Sequence, residues 1–257
     1  MTLFHGDCLE KLKEIAPGSV DMVLADLPYG TTACKWDEVI PFDSLWLEIE
    51  RVSKETAALV FFGSEPFSSQ LRISNLKRFK YDWIWDKVQP TGQLTAKIMP
   101  MKQHEIISVF YKSRPTYNRQ MSDRAKRDIR LNSVRNKNNQ TNKVSMDHVG
   151  GITHKYSSDY DPTKVNPKSI LRFSKQPTRT KNLHPTQKPV ELLEYLIKTY
   201  TNEGDTVLDP TMGSGSTGVA CRKLNRRFIG IEKEKKYFDI AKERILRKEP
   251  GLIREFK

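Results

Sequence analysis

Two short stretches, far apart in the chain, carry the residue types that could do chemistry. Asp26-Leu27-Pro28-Tyr29-Gly30 closes an apolar run near the N-terminus, and Asp209-Pro210-Thr211-Met212-Gly213-Ser214-Gly215-Ser216-Thr217-Gly218 closes another near the C-terminus. The first sets two hydrogen-bond acceptors, a carboxylate and a main-chain carbonyl, beside a proline that fixes φ and a tyrosine ring able to stack on a flat ligand. The second satisfies G-x-G-x-x-G, with Glu232 about twenty residues beyond its first glycine, which on pattern alone is a dinucleotide fingerprint. In a nicotinamide site the glycines follow the strand directly, so that helix N–H groups receive the pyrophosphate. Here Asp209 and Pro210 intervene. A carboxylate beside a diphosphate is electrostatically costly, whereas beside a cationic ligand it is favourable. A tight strand-to-helix turn that holds no ligand is the plainer alternative.

The elements that must position these residues are legible as a pattern. Short apolar runs alternate with amphipathic stretches, which argues for an α/β architecture with a mainly parallel sheet. Strands are predicted at 20–25, 57–62, 81–85, 106–111, 205–208 and 227–231. A helix is predicted at 41–54, where Phe42, Leu45, Trp46, Ile49 and Val52 recur at helical spacing. Others follow Gly63-Ser64-Glu65-Pro66, start at Pro189, leave the glycine loop towards residue 224, and close the pattern at 233–247. Gln89-Pro90-Thr91-Gly92 reads as a loop. Of Trp83 and Trp85, which flank Ile84 in a predicted strand, at least one belongs to the core.

The 257 residues suit one large domain, or one domain with a sizeable insert. No run of about 18 apolar residues predicts a membrane span, and the N-terminus lacks the pattern of a signal peptide. Cys8, Cys34 and Cys221 make an odd count without Cys-x-x-Cys spacing, so a reducing, cytoplasmic setting is expected and neither a disulfide framework nor a zinc ribbon. The five histidines show no metal spacing, and no metal is expected. The net charge of +13 is uneven: residues 113–182 hold 16 Lys and Arg against 5 acids, none of them Glu. A concentrated basic segment is the footprint of nucleic-acid binding, because each neutralised phosphate releases counterions. A solvated basic loop without a partner is the bland reading.

In this order, with the basic stretch between them, the two motifs resemble those of permuted (beta-class) DNA amino-methyltransferases of the N6-adenine/N4-cytosine type. The resemblance covers most of 1–112 and 183–257, including His104-Glu105 ahead of a strand. It implies a Rossmann-like, S-adenosylmethionine-dependent methyltransferase fold with a mainly parallel sheet and helices on both faces. Residues 1–112 would form the catalytic half, 113–182 an irregular basic target-recognition insert, and 183–257 the cofactor-binding half. Asp26 and the Leu27 carbonyl would accept hydrogen bonds from the two protons of an exocyclic amine, Pro28 would aim them, and Tyr29 would stack on a base flipped out of double-stranded DNA.

The cofactor, S-adenosylmethionine, would lie against Asp209, Pro210, Gly213, Ser214, Gly215 and Thr217, with Glu232 on its ribose. Phe4-His5-Gly6-Asp7-Cys8 resembles the segment that contacts the cofactor's adenine, and His184-Pro185-Thr186-Gln187-Lys188-Pro189 the one whose Thr186 and Lys188 would hold its methionine carboxylate. Members of the family often dimerise. The family more often has Pro where this chain has Leu27, a change that spares the main-chain carbonyl. Asp at the first motif position goes with adenine, and Ser with cytosine N4. Methylation of cytosine carbon 5 needs a cysteine nucleophile, and Pro-Cys does not occur. A nicotinamide oxidoreductase and a non-catalytic DNA-binding protein are the rivals from other classes.

Overall fold

Alternation along Met22-Val23-Leu24-Ala25 decides how the main body is layered, because successive side chains of a strand point to opposite faces. All four are buried, so both faces must be covered. The computed structural model describes residues 1–30, 38–124, 161, 163–174 and 187–247. Contacts divide the chain into a main unit, 1–118 with 169–257, and a smaller one, 119–168.

In chain order the strands are β1 (Thr2–His5), β2 (Val20–Ala25), β3 (Ser53–Gly63), β4 (Phe79–Thr91), β5 (Lys102–Phe110), β6 (Ser122–Asp123), β7 (Lys164–Val165), β8 (Ile170–Arg172), β9 (Thr206–Asp209) and β10 (Arg227–Glu232). The helices are α1 (Cys8–Leu12), α2 (Phe42–Val52), α3 (Phe67–Ser74), α4 (Val190–Tyr200), α5 (Ser216–Lys223) and α6 (Lys235–Leu246). The main sheet has the order β1-β10-β9-β2-β3-β5-β4-β8, and only β5 runs against its neighbours. Met22 and Leu24 pack with Leu193, Leu196, Ala220 and Ile245 of α4, α5 and α6. Val23 and Ala25 pack on the other face with Leu12, Leu45, Ile49 and Leu71 of α1, α2 and α3. Burying each such side chain contributes about 1.5–3 kcal/mol. The expected α/β sheet with helices on both faces is therefore present.

Trp83 and Trp85 are both core residues, and each indole N–H has a partner: Trp83 donates to the Tyr200 hydroxyl at 2.8 Å and Trp85 to the Phe173 carbonyl at 2.9 Å. The ends of the basic segment 113–182 fall in the main unit. The Asn118 amide donates to the Lys198 and Thr201 carbonyls at the end of α4, and β8 pairs in parallel with β4, so both flanks belong to the main unit. In the smaller unit β6 and β7 form an antiparallel pair, closed by a 2.5 Å ion pair between Lys164 and Asp123. The stretch 125–160, centre of the expected target-recognition insert, lies outside the described residues.

Two further differences have physical causes. β1 and α1 were not predicted, because a four-residue, half-exposed edge strand has no long apolar run to announce it. β4 and β5 run well beyond their predicted ends, through the expected loop at 89–92. β3 pairs with β5 only as far as Gly63↔Ile106, whereas β4 and β5 stay paired on to Thr91↔Lys102. At the neck of this two-stranded extension Val88 takes φ 67°, a costly value for a β-branched residue.

Gly215 is the N-cap of α5 at φ 78°, and a Cβ there would come within 3.1 Å of the Ala241 Cα on α6. Left-handed backbone and helix-to-helix approach thus both require glycine. Gly215→Ala is expected to lose about 1–3 kcal/mol of stability, read as a lower urea midpoint with unchanged m-value.

Candidate active site

Asp26 follows β2, Asp209 ends β9, Glu232 ends β10 and Asp7 follows β1, all at the carboxyl ends of parallel strands, where open α/β sheets bind ligands. They meet in one cavity of about 470 Å³, within the roughly 300–1,000 Å³ usual for small-molecule sites. Asp7, Cys8, Asp26, Leu27, Pro28, Tyr29, Lys188, Asp209, Pro210, Gly213, Ser214, Thr217 and Glu232 all line it. Gly215 does not, contrary to expectation: its missing side chain makes room for α6 rather than for a ligand. Thr186 lies outside the described residues.

The Asp26 carboxylate is held from two sides. The Tyr29 hydroxyl donates to Oδ1 at 2.5 Å, and the Lys188 ammonium to Oδ2 at 2.5 Å. Lys188 lies 3.4 Å from Glu105, whose other oxygen is 3.5 Å from Lys87. It also sits 5.2 Å from the centre of the Phe62 ring. Lys188 is 9% exposed and Lys87 3%, so two cations and two carboxylates form one buried network. Burial works against the Lys188 ammonium, but Asp26 and Glu105 outweigh it and raise its pKa, so the cation persists. Burial likewise pushes the Asp26 carboxyl up; Lys188 and Tyr29 pull it back, while Glu105 adds to the push. Lys188, expected at a cofactor carboxylate, is thus paired here with Asp26 and Glu105. Glu105 and Lys87 were not singled out from sequence for any role. The one signal, His104-Glu105 ahead of a strand, named a place without a partner.

Tyr29 stacks one face on Phe67, with ring centres 4.9 Å apart. Thr211, from the glycine loop, donates its hydroxyl to the Asp26 main-chain oxygen at 3.1 Å, which ties the two motifs together.

On the other wall Asp209 accepts from the Thr217 hydroxyl at 2.6 Å and from the Thr211 amide at 3.1 Å. Burial, aided by the charges of Asp26 and Glu232, pushes its carboxyl up to about 7. Glu232 accepts from the Gly213 amide at 2.9 Å and from the Glu234 amide at 2.7 Å, which fixes the carboxylate and leaves lone pairs on both oxygens. Asp7 caps α1 by accepting from the Leu9 amide at 2.9 Å. Burial raises the Cys8 thiol to about 12, so it lines the cavity as a protonated, apolar group. Among the described residues no group of three or more His, Cys, Asp or Glu could hold a metal, and no helix is long and apolar enough to cross a membrane.

The family described as DNA methylase, of N6/N4 type, matches residues 20–243. The chain is 30% identical to the type II methyltransferase M.HpaI of Haemophilus parainfluenzae, over 95% of this chain and 73% of that protein. It is 28% identical to the DNA adenine methyltransferase YhdJ of Escherichia coli, over 95% and 82%. Among solved structures, an M1.HpyAVI–SAM complex superposes with a TM-score of 0.62 at 26% identity, covering 95% of this chain and 98% of that one. The cytosine-N4-specific PvuII methyltransferase, at 17% identity and a TM-score of 0.67 over 97% and 87%, shares the fold. The two motifs joined at Thr211 thus belong to a member of the N6-adenine/N4-cytosine DNA methylase family, an S-adenosylmethionine-dependent DNA methyltransferase.

Proposed function

We propose that this chain methylates the N6 amine of adenine in double-stranded DNA, on a base turned out of the helix. The observation that carries this reading is the meeting of the amine-binding motif and the glycine loop in one cavity, 3.1 Å apart at Thr211 and Asp26. Asp at the first motif position supports adenine, as does the similarity to YhdJ, named a DNA adenine methyltransferase. The test is mass spectrometry of nucleosides from unmethylated DNA incubated with the protein and S-adenosylmethionine. N6-methyladenine is expected; N4-methylcytosine would keep the site and overturn the base, and no methylated base would overturn the activity.

The donor set fits the cofactor. Asp7, Asp209 and Glu232 form an acidic wall suited to a ligand carrying a sulfonium and an ammonium, and ill suited to a diphosphate. When bound, S-adenosylmethionine supplies an electrophilic methyl group. The chain's own groups do the rest. Asp26, paired with Lys188, and the Leu27 carbonyl accept hydrogen bonds from the two amine N–H groups and draw the nitrogen towards tetrahedral geometry, freeing its lone pair. Tyr29 offers an aromatic face to the base while its hydroxyl orients Asp26. Asp26 also stands ready to take the proton the amine sheds. Phe62 and Trp85 line the same cavity and limit water around these charges.

Asp209 makes cofactor binding depend on pH. A carboxyl raised from 3.8 to about 7 in the folded protein costs nothing below the lower value, and stability is lost progressively as pH rises from there through about 7. A cationic ligand favours the ionised form, so its affinity is expected to weaken as pH falls below about 7, by up to about tenfold per unit. Calorimetric titrations across this range check it, and Asp209→Asn should flatten the dependence.

The basic residues of 125–160 are proposed to contact phosphates. Neutralising about four of them is expected to lower the slope of log affinity against log salt by about 3–4. An unchanged slope places the DNA elsewhere.

A further inference from the structure

Once the cavity is accounted for, the extended β4–β5 ribbon is left without a task. β3 stops pairing at Gly63↔Ile106, and the ribbon continues through Thr91↔Lys102 beyond the sheet edge at which Asp26 emerges. Its base belongs to the cavity, since Trp85 and Glu105, paired in register, both line it. Its tip turns through Gly92, at φ 97°, into a 3-10 turn at Gln93–Thr95. There Leu94 is 100% exposed, Ile98 80% and Met99 54%. Single exposed leucines are ordinary, but three large apolar side chains together on a projecting tip contribute nothing to a core. Beyond the buried Lys87–Glu105 pair, the stretch from Val88 to His104 contains Lys97 and Lys102 and no acidic residue, so the partner it suits is anionic around an apolar interior. Duplex DNA has that make-up: phosphates outside, stacked bases within.

We propose that the tip, Leu94 to Met99, is a wedge that enters duplex DNA beside the target base and fills the place that base vacates. This rests on the reading that a base leaves the helix for the cavity. Extrusion forfeits pairing and stacking, and apolar side chains inserted at the same step restore contact with the neighbouring base faces. Lys97 and Lys102 meet the flanking phosphates and set the depth of entry.

The experiment uses the full chain and a duplex bearing its recognition sequence, mapped from DNA the protein has methylated, with 2-aminopurine at the target position. The unsubstituted protein is expected to raise the fluorescence severalfold as the base unstacks. Leu94→Ala with Ile98→Ala should abolish that rise and lower kcat/KM on duplex DNA by about tenfold or more, with S-adenosylmethionine affinity and melting temperature unchanged. An unaltered rise and rate would overturn the wedge. So would loss of cofactor affinity or stability, which would make the tip part of the fold, and so would a halved mass in light scattering, which would make it a contact between copies. Failure of the unsubstituted protein to methylate any DNA would sink both readings, whereas these outcomes sink the wedge alone.

Discussion

Replacing Asp26 with alanine is expected to lower methyl transfer by a factor of about 10²–10³ or more while cofactor affinity stays close to that of the unsubstituted protein. The carboxylate is an acceptor fixed in advance, with the Tyr29 hydroxyl and Lys188 ammonium each 2.5 Å away, so no reorganisation is needed when an amine arrives. Without it, nothing at that position takes the amine proton. Asp26→Asn is expected to do little better. The buried Lys188 ammonium claims the amide oxygen, which turns the NH₂ group towards the incoming amine, donor against donor. Tritiated methyl incorporation measures the rate, and calorimetry the affinity. Loss of both together would reassign Asp26 from chemistry to cofactor binding.

Lys188→Ala is expected to destabilise the protein by about 3–5 kcal/mol at neutral pH, because Asp26 and Glu105 lose the cation between them and remain partly buried. Lys87, 3.5 Å from the far oxygen of Glu105, offsets part of this. The sign with pH follows from the charges. Lys188 lowers the Asp26 pKa, so its removal raises it. The acid limb of the pH–rate profile then moves to higher pH, since the reaction needs the ionised carboxylate. The stability deficit is largest in alkaline buffer and shrinks as either acid protonates, a contrast that melting curves at pH about 5.5 and about 8 would display. A variant with unchanged stability and pH profile but weakened cofactor binding would return Lys188 to the methionine carboxylate.

Local pattern made much of this fold legible. Val20–Ala25 is apolar almost throughout because β2 is covered on both faces, and α2 and α4 declare themselves by their spacing. What stayed hidden was decided by tertiary contact. Lys188 and Asp26 are 162 residues apart, so their pairing has no local signature, and the motif named Lys188 as a cation without naming its anion. Gly213 and Gly215 look alike in G-x-G, yet one offers its amide to Glu232 at the cavity wall and the other makes room for Ala241. The β4–β5 ribbon escaped because beyond Lys87 its residues are exposed and leave no hydrophobic alternation to read.

β2 and β9 are hydrogen-bonded neighbours, with Met22 opposite Val207 and Val23 opposite Leu208. The two loops that leave them therefore start about 4.7–4.9 Å apart, the interval between adjacent strands. The gap between the two motifs is thus gauged by main-chain geometry, which every sequence shares and no single side-chain substitution resets. Changes in segments away from these two strands can accumulate without disturbing that gauge.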